Sequence, residues 1–343
     1  MTRRKKLVFA FVAILLASTV STAGLLIVDV YLHGRYERSA GYNVWGYRGP
    51  STGAKQPGEV RVAVLGGSTA YGYGVNWEDS IPALLERLLA GESPAVTVVN
   101  LGYNNEGAHS LKFTLEDYLW LDYDIAVLYD GYNDVTLDAP DANRQVFRRD
   151  SPVFRWTGYL PIFPIIFKEK AAALLTGGNI DAAYDGSQQT VFKPGLAARG
   201  AAGVLSVVAG AGDVLQGQVN AVASPDHRGD SSGSAAECQG RWSLYCESVA
   251  AAIAFARSRD IAVLFVGQPE LHPRHADQQQ HVAAMIARRF AGDNHVHYVS
   301  ARSAIDLTNP ALSFDGMHLT AEGNRLVAQR LAPDVRAFVQ RFH

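Results

Sequence analysis

Cysteine is nearly absent from this 343-residue chain: Cys238 and Cys246 are the whole complement. Two cysteines cannot build a disulfide framework or the four-ligand metal site that cysteine usually serves. With seven residues between them, the pair is expected to close a small loop as a disulfide if the chain reaches an oxidising compartment. Histidine does not make up the deficit. His272 with His275 and His295 with His297 are close pairs, but neither has a third ligand at a sensible spacing, so no metal is expected. An excess of basic charge is lacking as well. Four of the 31 Lys and Arg residues are Arg3, Arg4, Lys5 and Lys6, which leaves 27 against 33 acidic residues in the remainder. No basic field is left to hold nucleic acid, and that class of partner is set aside.

Long uncharged runs are missing too, with one exception. Residues 7–28 carry no charge, and 22 residues at about 1.5 Å each match a hydrocarbon layer of about 30 Å. Four basic residues precede the run, while only Arg35 and Arg38 follow closely. The positive-inside rule then leaves the short N-terminus in the cytoplasm and exports the rest, to the periplasm or the cell exterior. Ser21 and Ala23 would suit cleavage of a signal peptide, but the apolar run continues past them, and an uncleaved anchor is the expectation. No cysteine lies near the run, which excludes a lipid-modified cysteine. The expected organisation is a basic tip and transmembrane anchor over residues 1–32, a linker over 33–58, and one domain over 59–343. Apolar residues at 48% against 19% charged residues suit a sizeable core in that domain.

Within the domain, strand and helix patterns alternate. Residues 60–65, 96–101, 125–129, 261–266 and 296–299 read as short buried strands. Helices are expected over 80–89, with Ser80 as cap and Pro82 in the first turn, then around 111–119, over 244–257 and 278–290, and from 321 onward. The alternation argues for a parallel sheet covered on both faces, with its ligand site at the carboxyl ends of the strands. It breaks over about 135–240, an insertion whose first part, 153–175, is rich in apolar and aromatic residues. Lys168, Glu169, Lys170, Pro161 and Pro164 make that part a poor second span; a lid or an interfacial element is expected, with a core extension as the alternative.

Four strings, each directly after a short apolar run that reads as a buried strand, occur in order: Gly66-Gly67-Ser68-Thr69, Asn100-Leu101-Gly102, Gly131-Tyr132-Asn133-Asp134 and Asp315-Gly316-Met317-His318. Ser68 after two glycines is a candidate nucleophile. His318 is a candidate base, and Asp315, three residues before it, is a candidate orienting acid. The backbone N–H groups of Ser68 and Gly102 and the side-chain amide of Asn133 are candidate donors to an oxyanion. Each residue alone reads more simply as a turn, capping or loop residue. Their order at strand ends points to nucleophilic chemistry. Gln268, at the end of the fourth strand, is a candidate substrate contact, with a plain proline-terminated strand as the alternative. Tyr71, Tyr73, Trp77 and Tyr103, near the motif loops, are candidates to stack on a sugar or line an acyl pocket, with simple packing as the first reading.

The four strings resemble those of the SGNH or GDSL-type hydrolases. Ser68, Gly102, Asn133 and His318 match the residues that name the family, and Asp315 matches the acid of its last block, here Asp-Gly-Met-His-Leu-Thr-Ala-Glu-Gly. The resemblance covers about 60–135 and 241–342. It implies a flavodoxin-like three-layer α/β/α sandwich and cofactor-free hydrolysis of carboxylic esters through an acyl-serine. Gly67 departs from the pattern, standing where the family has Asp. The expected activity is that of a membrane-anchored, exported serine esterase removing an acyl group, acetyl by first choice, from a carbohydrate or envelope component. The same residues would serve an O-acyltransferase, a lipid or lysophospholipid acylhydrolase would suit the anchor and the apolar insertion, and a non-catalytic binding module is the reading from another class.

Overall fold

The computed structural model describes residues 2–37, 41–91, 94–135, 143–175, 238 and 240–342. Five parallel strands form one sheet: β1 (Val60–Leu65), β2 (Val96–Asn100), β3 (Ile125–Leu128), β4 (Ala262–Gly267) and β5 (Val296–Ser300). Their spatial order is β2-β1-β3-β4-β5, so the order reverses at β1. In a doubly wound sheet, that reversal opens a crevice at the carboxyl ends of β1 and β3. β1, β3 and β4 are buried along their whole length; β3 and β4 are unbroken apolar runs, and β1 is interrupted only by Arg61, which is paired with Glu59.

Helices cover both faces. α3 (Ile81–Leu89) and α11 (Ala321–Val339) pack together over one face, where Leu85, Leu89, Val327 and Leu331 meet Val62, Val64 and Leu264. α4 (Ala108–Asp117), α9 (Ser243–Arg257) and α10 (Pro273–Arg289) cover the other, with Leu111, Leu115, Ile253 and Met285 against Leu65, Leu128 and Phe265. The α/β architecture is therefore the three-layer sandwich that the alternating pattern implied. Boundaries moved by a residue or two, except that α10 begins at Pro273, five residues earlier than periodicity indicated. Its first turn is polar, and His272 caps it by accepting the His275 N–H. The bond between Cys238 and Cys246 is formed and ties the first turn of α9 to the chain ahead of the 3-10 turn Gly240–Trp242.

Two regions differ from the sequence reading. The stretch expected to be a linker is folded into the domain: Tyr42 and Tyr47 are core residues, and the buried Arg48 guanidinium donates to the Tyr71 and Gly72 carbonyls. A charged residue outside any periodic pattern gives no sign that it will be buried. The first part of the insertion is also structural. α6 (Phe147–Asp150), α7 (Pro152–Thr157) and α8 (Phe163–Leu175) follow one another, and Phe154, Leu160, Ile162 and Ile166 join the core around α4. α8 meets α1 (Arg3–Tyr36), the apolar N-terminal helix. The Gly-, Ala- and Ser-rich remainder of the insertion lies outside the described residues.

α1 is long and apolar enough to cross a membrane and is exposed throughout its apolar run. Its last two turns differ. Asp29 and His33 are buried against the domain.

Candidate active site

β1 ends at Gly66, whose φ of 149° few side-chain-bearing residues adopt, and a Cβ there would lie 2.0 Å from the Tyr129 carbonyl oxygen. The chain thus turns hard against the end of β3 and begins the short helix α2 (Ser68–Tyr71) with Ser68 at its first position. A residue at that position has no helical partner for its N–H. Gly131 repeats the same backbone angle after β3 and leads into α5 (Tyr132–Val135), which carries Asn133. Ser68 and Asn133 are therefore presented side by side from neighbouring strands.

The last block folds into a tight loop between β5 and α11. Gly316, with φ 84°, allows the turn, and Asp315 Oδ1 accepts the N–H groups of Met317 and His318 at 3.0 and 2.7 Å. Asp315 Oδ2 lies 2.6 Å from His318 Nδ1, and His318 Nε2 lies 2.8 Å from Ser68 Oγ. Burial pushes the Asp315 carboxyl up, but the hydrogen bonds and field of His318 outweigh it and hold the group below its usual value, so it is ionised at neutral pH. A carboxylate on Nδ1 fixes the tautomer that leaves Nε2 to accept the serine proton. The structure thus brings Ser68, His318 and Asp315 together in one line.

Asn133 Nδ2 donates to the Glu106 carbonyl at 2.7 Å, which leaves the second amide hydrogen for another acceptor. A Cβ on Gly67 would lie 2.2 Å from that nitrogen and 2.8 Å from Glu106 O, so the amide sits directly beside the start of α2. The departure from the family's Asp at this position has a steric reason. In this chain the amide of Asn133 occupies the space that a side chain would need.

Gly102 is placed otherwise than expected. Its N–H donates to Asn100 Oδ1 at 3.0 Å, and a Cβ would lie 2.5 Å from the Tyr71 backbone nitrogen. It is a close-packing glycine against the far end of α2, and its donor is already engaged. The part of this loop that reaches Asn133 and Gly67 is instead the Glu106 carbonyl, which directly follows Asn105 at φ 62°. The Asn-rich turn signal was visible in the sequence; its approach to Asn133 was not.

Three of the candidate substrate contacts are corrected. Tyr71 and Tyr103 are buried and pack around Tyr42, with ring centroids 5.1 and 4.6 Å from it, so neither face is open to a ligand. Gln268 is also buried; it donates to Thr69 Oγ1 at 3.0 Å and accepts the Tyr132 N–H at 3.0 Å, bracing the nucleophile helix against α5. The aromatics that flank the site are Tyr73, 4.7 Å from the His318 ring, and Phe314, 5.8 Å from it and nearly parallel. Phe314 is half exposed. Sequence reading missed it, although an aromatic immediately before the Asp-Gly-Met-His block was a usable signal.

Behind the site lies a layer of buried charge. Arg148 donates to the carbonyls of Gly46, Leu101 and Gly102 and stacks on Tyr103 and Tyr118. It faces Glu106, whose carboxyl burial pushes up to about 7 against the pull of Arg148. Asp130 and Asp134 are hydrogen-bonded to each other; burial first, and for Asp130 the charge of its neighbour, raises both. Among the described residues no group of three or more His, Cys, Asp or Glu side chains could hold a metal ion.

No family model and no curated protein matches the chain. Solved structures similar to it include a family 3 carbohydrate esterase from Clostridium thermocellum, 12% identical over 83% of this chain and 98% of that one, with a TM-score of 0.43. An acetylxylan esterase from Geobacillus stearothermophilus is 12% identical over 80% of this chain and 94% of that one, with a TM-score of 0.42. A protein of the G-D-S-L lipolytic family from Desulfitobacterium hafniense is 13% identical over 80% and 98%, with a TM-score of 0.40. At this distance chemistry has to be read from the side chains themselves.

The crowding at Gly67 can be tested directly. Gly67→Ala is expected to displace the Asn133 amide and lower ester turnover by about 10²-fold or more, the cost of one lost donor. Steady-state kinetics on Gly67→Ala, Asn133→Ala and the double variant check it, since the double variant should be no slower than Asn133→Ala alone; independent, multiplying losses would contradict it. The acidic pair makes a pH prediction. A carboxyl kept neutral in the folded chain but ionised in the unfolded one loses stabilising effect as pH rises above its ordinary value of 3.8. Asp134→Asn keeps an oxygen to accept from Asp130 and from the Ala108 N–H but cannot ionise, so thermal unfolding should show it gaining stability over the parent as pH rises from about 5 to about 8. A difference that does not vary with pH would show that the pair ionises normally.

Proposed function

We propose that this chain is a membrane-anchored, extracytoplasmic serine esterase of the SGNH type that removes an acyl group, acetyl by first choice, from a carbohydrate or envelope component. The observation that carries the reading is the unbroken line from Asp315 through His318 to Ser68, with contacts of 2.6 and 2.8 Å.

In this mechanism Ser68 Oγ attacks the ester carbonyl while His318 Nε2 takes its proton. The imidazolium that forms is stabilised by ionised Asp315 on Nδ1. Negative charge developing on the carbonyl oxygen is met by the Ser68 N–H and the free hydrogen of Asn133 Nδ2; each such donor contributes about 2.7–4 kcal/mol in the transition state. Collapse expels the alcohol, which takes the proton from His318. A water then attacks the acyl-serine, with His318 again accepting and returning a proton. The half-exposed ring of Phe314 and its neighbour Tyr73 offer a flat apolar wall beside His318, suited to the face of a sugar ring.

The anchor reading is supported by α1. Its uncharged run follows four basic residues and continues past Ala23 to Val28.

The test is turnover of nitrophenyl esters of increasing acyl length by the full chain in detergent, beside Ser68→Ala. The acetyl ester should be cleaved, and Ser68→Ala should lower the rate by about 10⁴-fold or more. Retained activity in that variant would remove the serine mechanism. Added sugar acceptors that divert the acyl group from water would turn the reading into an acyltransferase.

A further inference from the structure

The end of α1 is joined to the domain by a cluster of buried polar contacts. Asp29 accepts hydrogen bonds from the Tyr159 hydroxyl and the Phe163 N–H, and its carboxylate lies 3.4 Å from His33 Nε2. His33 Nδ1 lies 2.7 Å from the Tyr42 carbonyl, and Nε2 lies 2.9 Å from that of Leu160. Both side chains are almost wholly buried. Such contacts do not form at the end of a swinging tether. They fix the helix axis relative to the sheet.

Height above the bilayer follows from the helix itself. The uncharged run ends at Val28, so Asp29 lies at the edge of the hydrocarbon and His33 about 7 Å beyond it at about 1.5 Å per residue. The polar interface of each leaflet is about 5–8 Å deep. Tyr42, Tyr159, Leu160 and Phe163, which bind these two residues, are thereby held at headgroup level.

Three exposed tryptophans surround that point. Trp156 is 89% exposed and lies three residues before Tyr159, within about 10 Å of chain. Trp45 stands between Val44, whose carbonyl accepts the Leu160 N–H, and Gly46, which packs on Leu160 Cβ. Trp120 meets Trp45 edge to face at 5.5 Å and is 51% exposed. With Val153, they are the most exposed large apolar side chains among the described residues outside α1, apart from Phe314 at the active site. Tryptophan is the residue that gains most from the boundary between headgroups and acyl chains, with its ring in the apolar layer and its N–H in the wet one.

We infer that this face of the domain is seated on the bilayer that α1 crosses, with Trp45, Trp120 and Trp156 inserted at the boundary between phospholipid headgroups and acyl chains. The inference rests on the anchor reading and goes beyond it: α1 is a rigid post, and the domain has a fixed orientation on the membrane. Tyr42, bound by His33, packs on Tyr71 at the end of the nucleophile helix, so the active site is held close to the membrane surface.

The test uses the full chain reconstituted in phosphatidylcholine vesicles with plain or brominated acyl chains, reading tryptophan emission after flotation. Brominated lipid should quench the parent. Quenching should fall in Trp156→Phe and be mostly lost in the triple variant Trp45→Phe/Trp120→Phe/Trp156→Phe, in which the buried Trp242 and the half-buried Trp77 remain. Trp156→Phe alters only an exposed ring and guards against a folding defect in the triple variant. Vesicle-bound chain in which neither variant changes the quenched fraction would overturn the seating while leaving the anchor intact, and so would a crosslinked second copy covering Trp156. Failure to float with the vesicles would overturn both. Ester turnover by Trp156→Phe reports on the hydrolase reading separately.

Discussion

The 2.8 Å contact between Ser68 Oγ and His318 Nε2 joins residues 250 positions apart, and most of the fold serves to make it. Ser68 is fixed by the sheet: β1 is central, its exit is forced by Gly66 against the end of β3, and α2 is clamped by Arg48 at its carboxyl end and by Gln268 through Thr69. His318 is fixed from the other side of the domain. Its loop is stapled by Asp315 and by the bond from Ser313 Oγ to the His318 carbonyl, and it leads into α11, which packs on α3 directly after the nucleophile loop. A displacement of either support by about an ångström would break the contact, and rates are sensitive to displacements of that size.

Much of this was legible in the chain. Short runs of apolar and β-branched residues marked the strands, because a strand buried on both faces leaves little room for polar positions; Arg61 in β1 is the exception and is paired with Glu59. Ser68, Asp315 and His318 were legible as candidates because their chemistry is local to short strings; the last string follows a loop after β5, not a strand as its apolar run suggested. Gly102 was misjudged for a physical reason: a glycine in a loop is equally suited to exposing its N–H or to admitting a neighbouring backbone, and only packing against Tyr71 decides between them. Tyr71 and Tyr103 were misplaced in the same way, since proximity in sequence to a motif says nothing about which face of a ring is covered.

What the sequence concealed is mainly buried polarity. Arg48 lies in a stretch that reads as a linker and Arg148 in one that reads as an insertion, yet each satisfies carbonyl groups of loops that no regular structure could satisfy. An arginine suits this work because its planar group carries five donors and keeps its charge. Burying such a charge is costly, and removing either arginine would leave carbonyls unpaired at the site. The same layer holds Glu106, Asp130 and Asp134 close beneath Asn133, so the loops that carry the chemistry rest on groups whose protonation is set by burial. Asp29 and His33 extend that pattern to α1, where two polar residues near the end of an apolar helix weld it to the domain.

The central claim is that Ser68 is a nucleophile activated by His318. The most direct measurement is the site of covalent labelling by a fluorophosphonate, mapped by mass spectrometry of the digested full chain. One phosphonyl group is expected, on Ser68, with labelling at least about 10³-fold slower in His318→Ala. A chain that cleaves esters while Ser68 stays unlabelled, or that is labelled equally fast without His318, would contradict it.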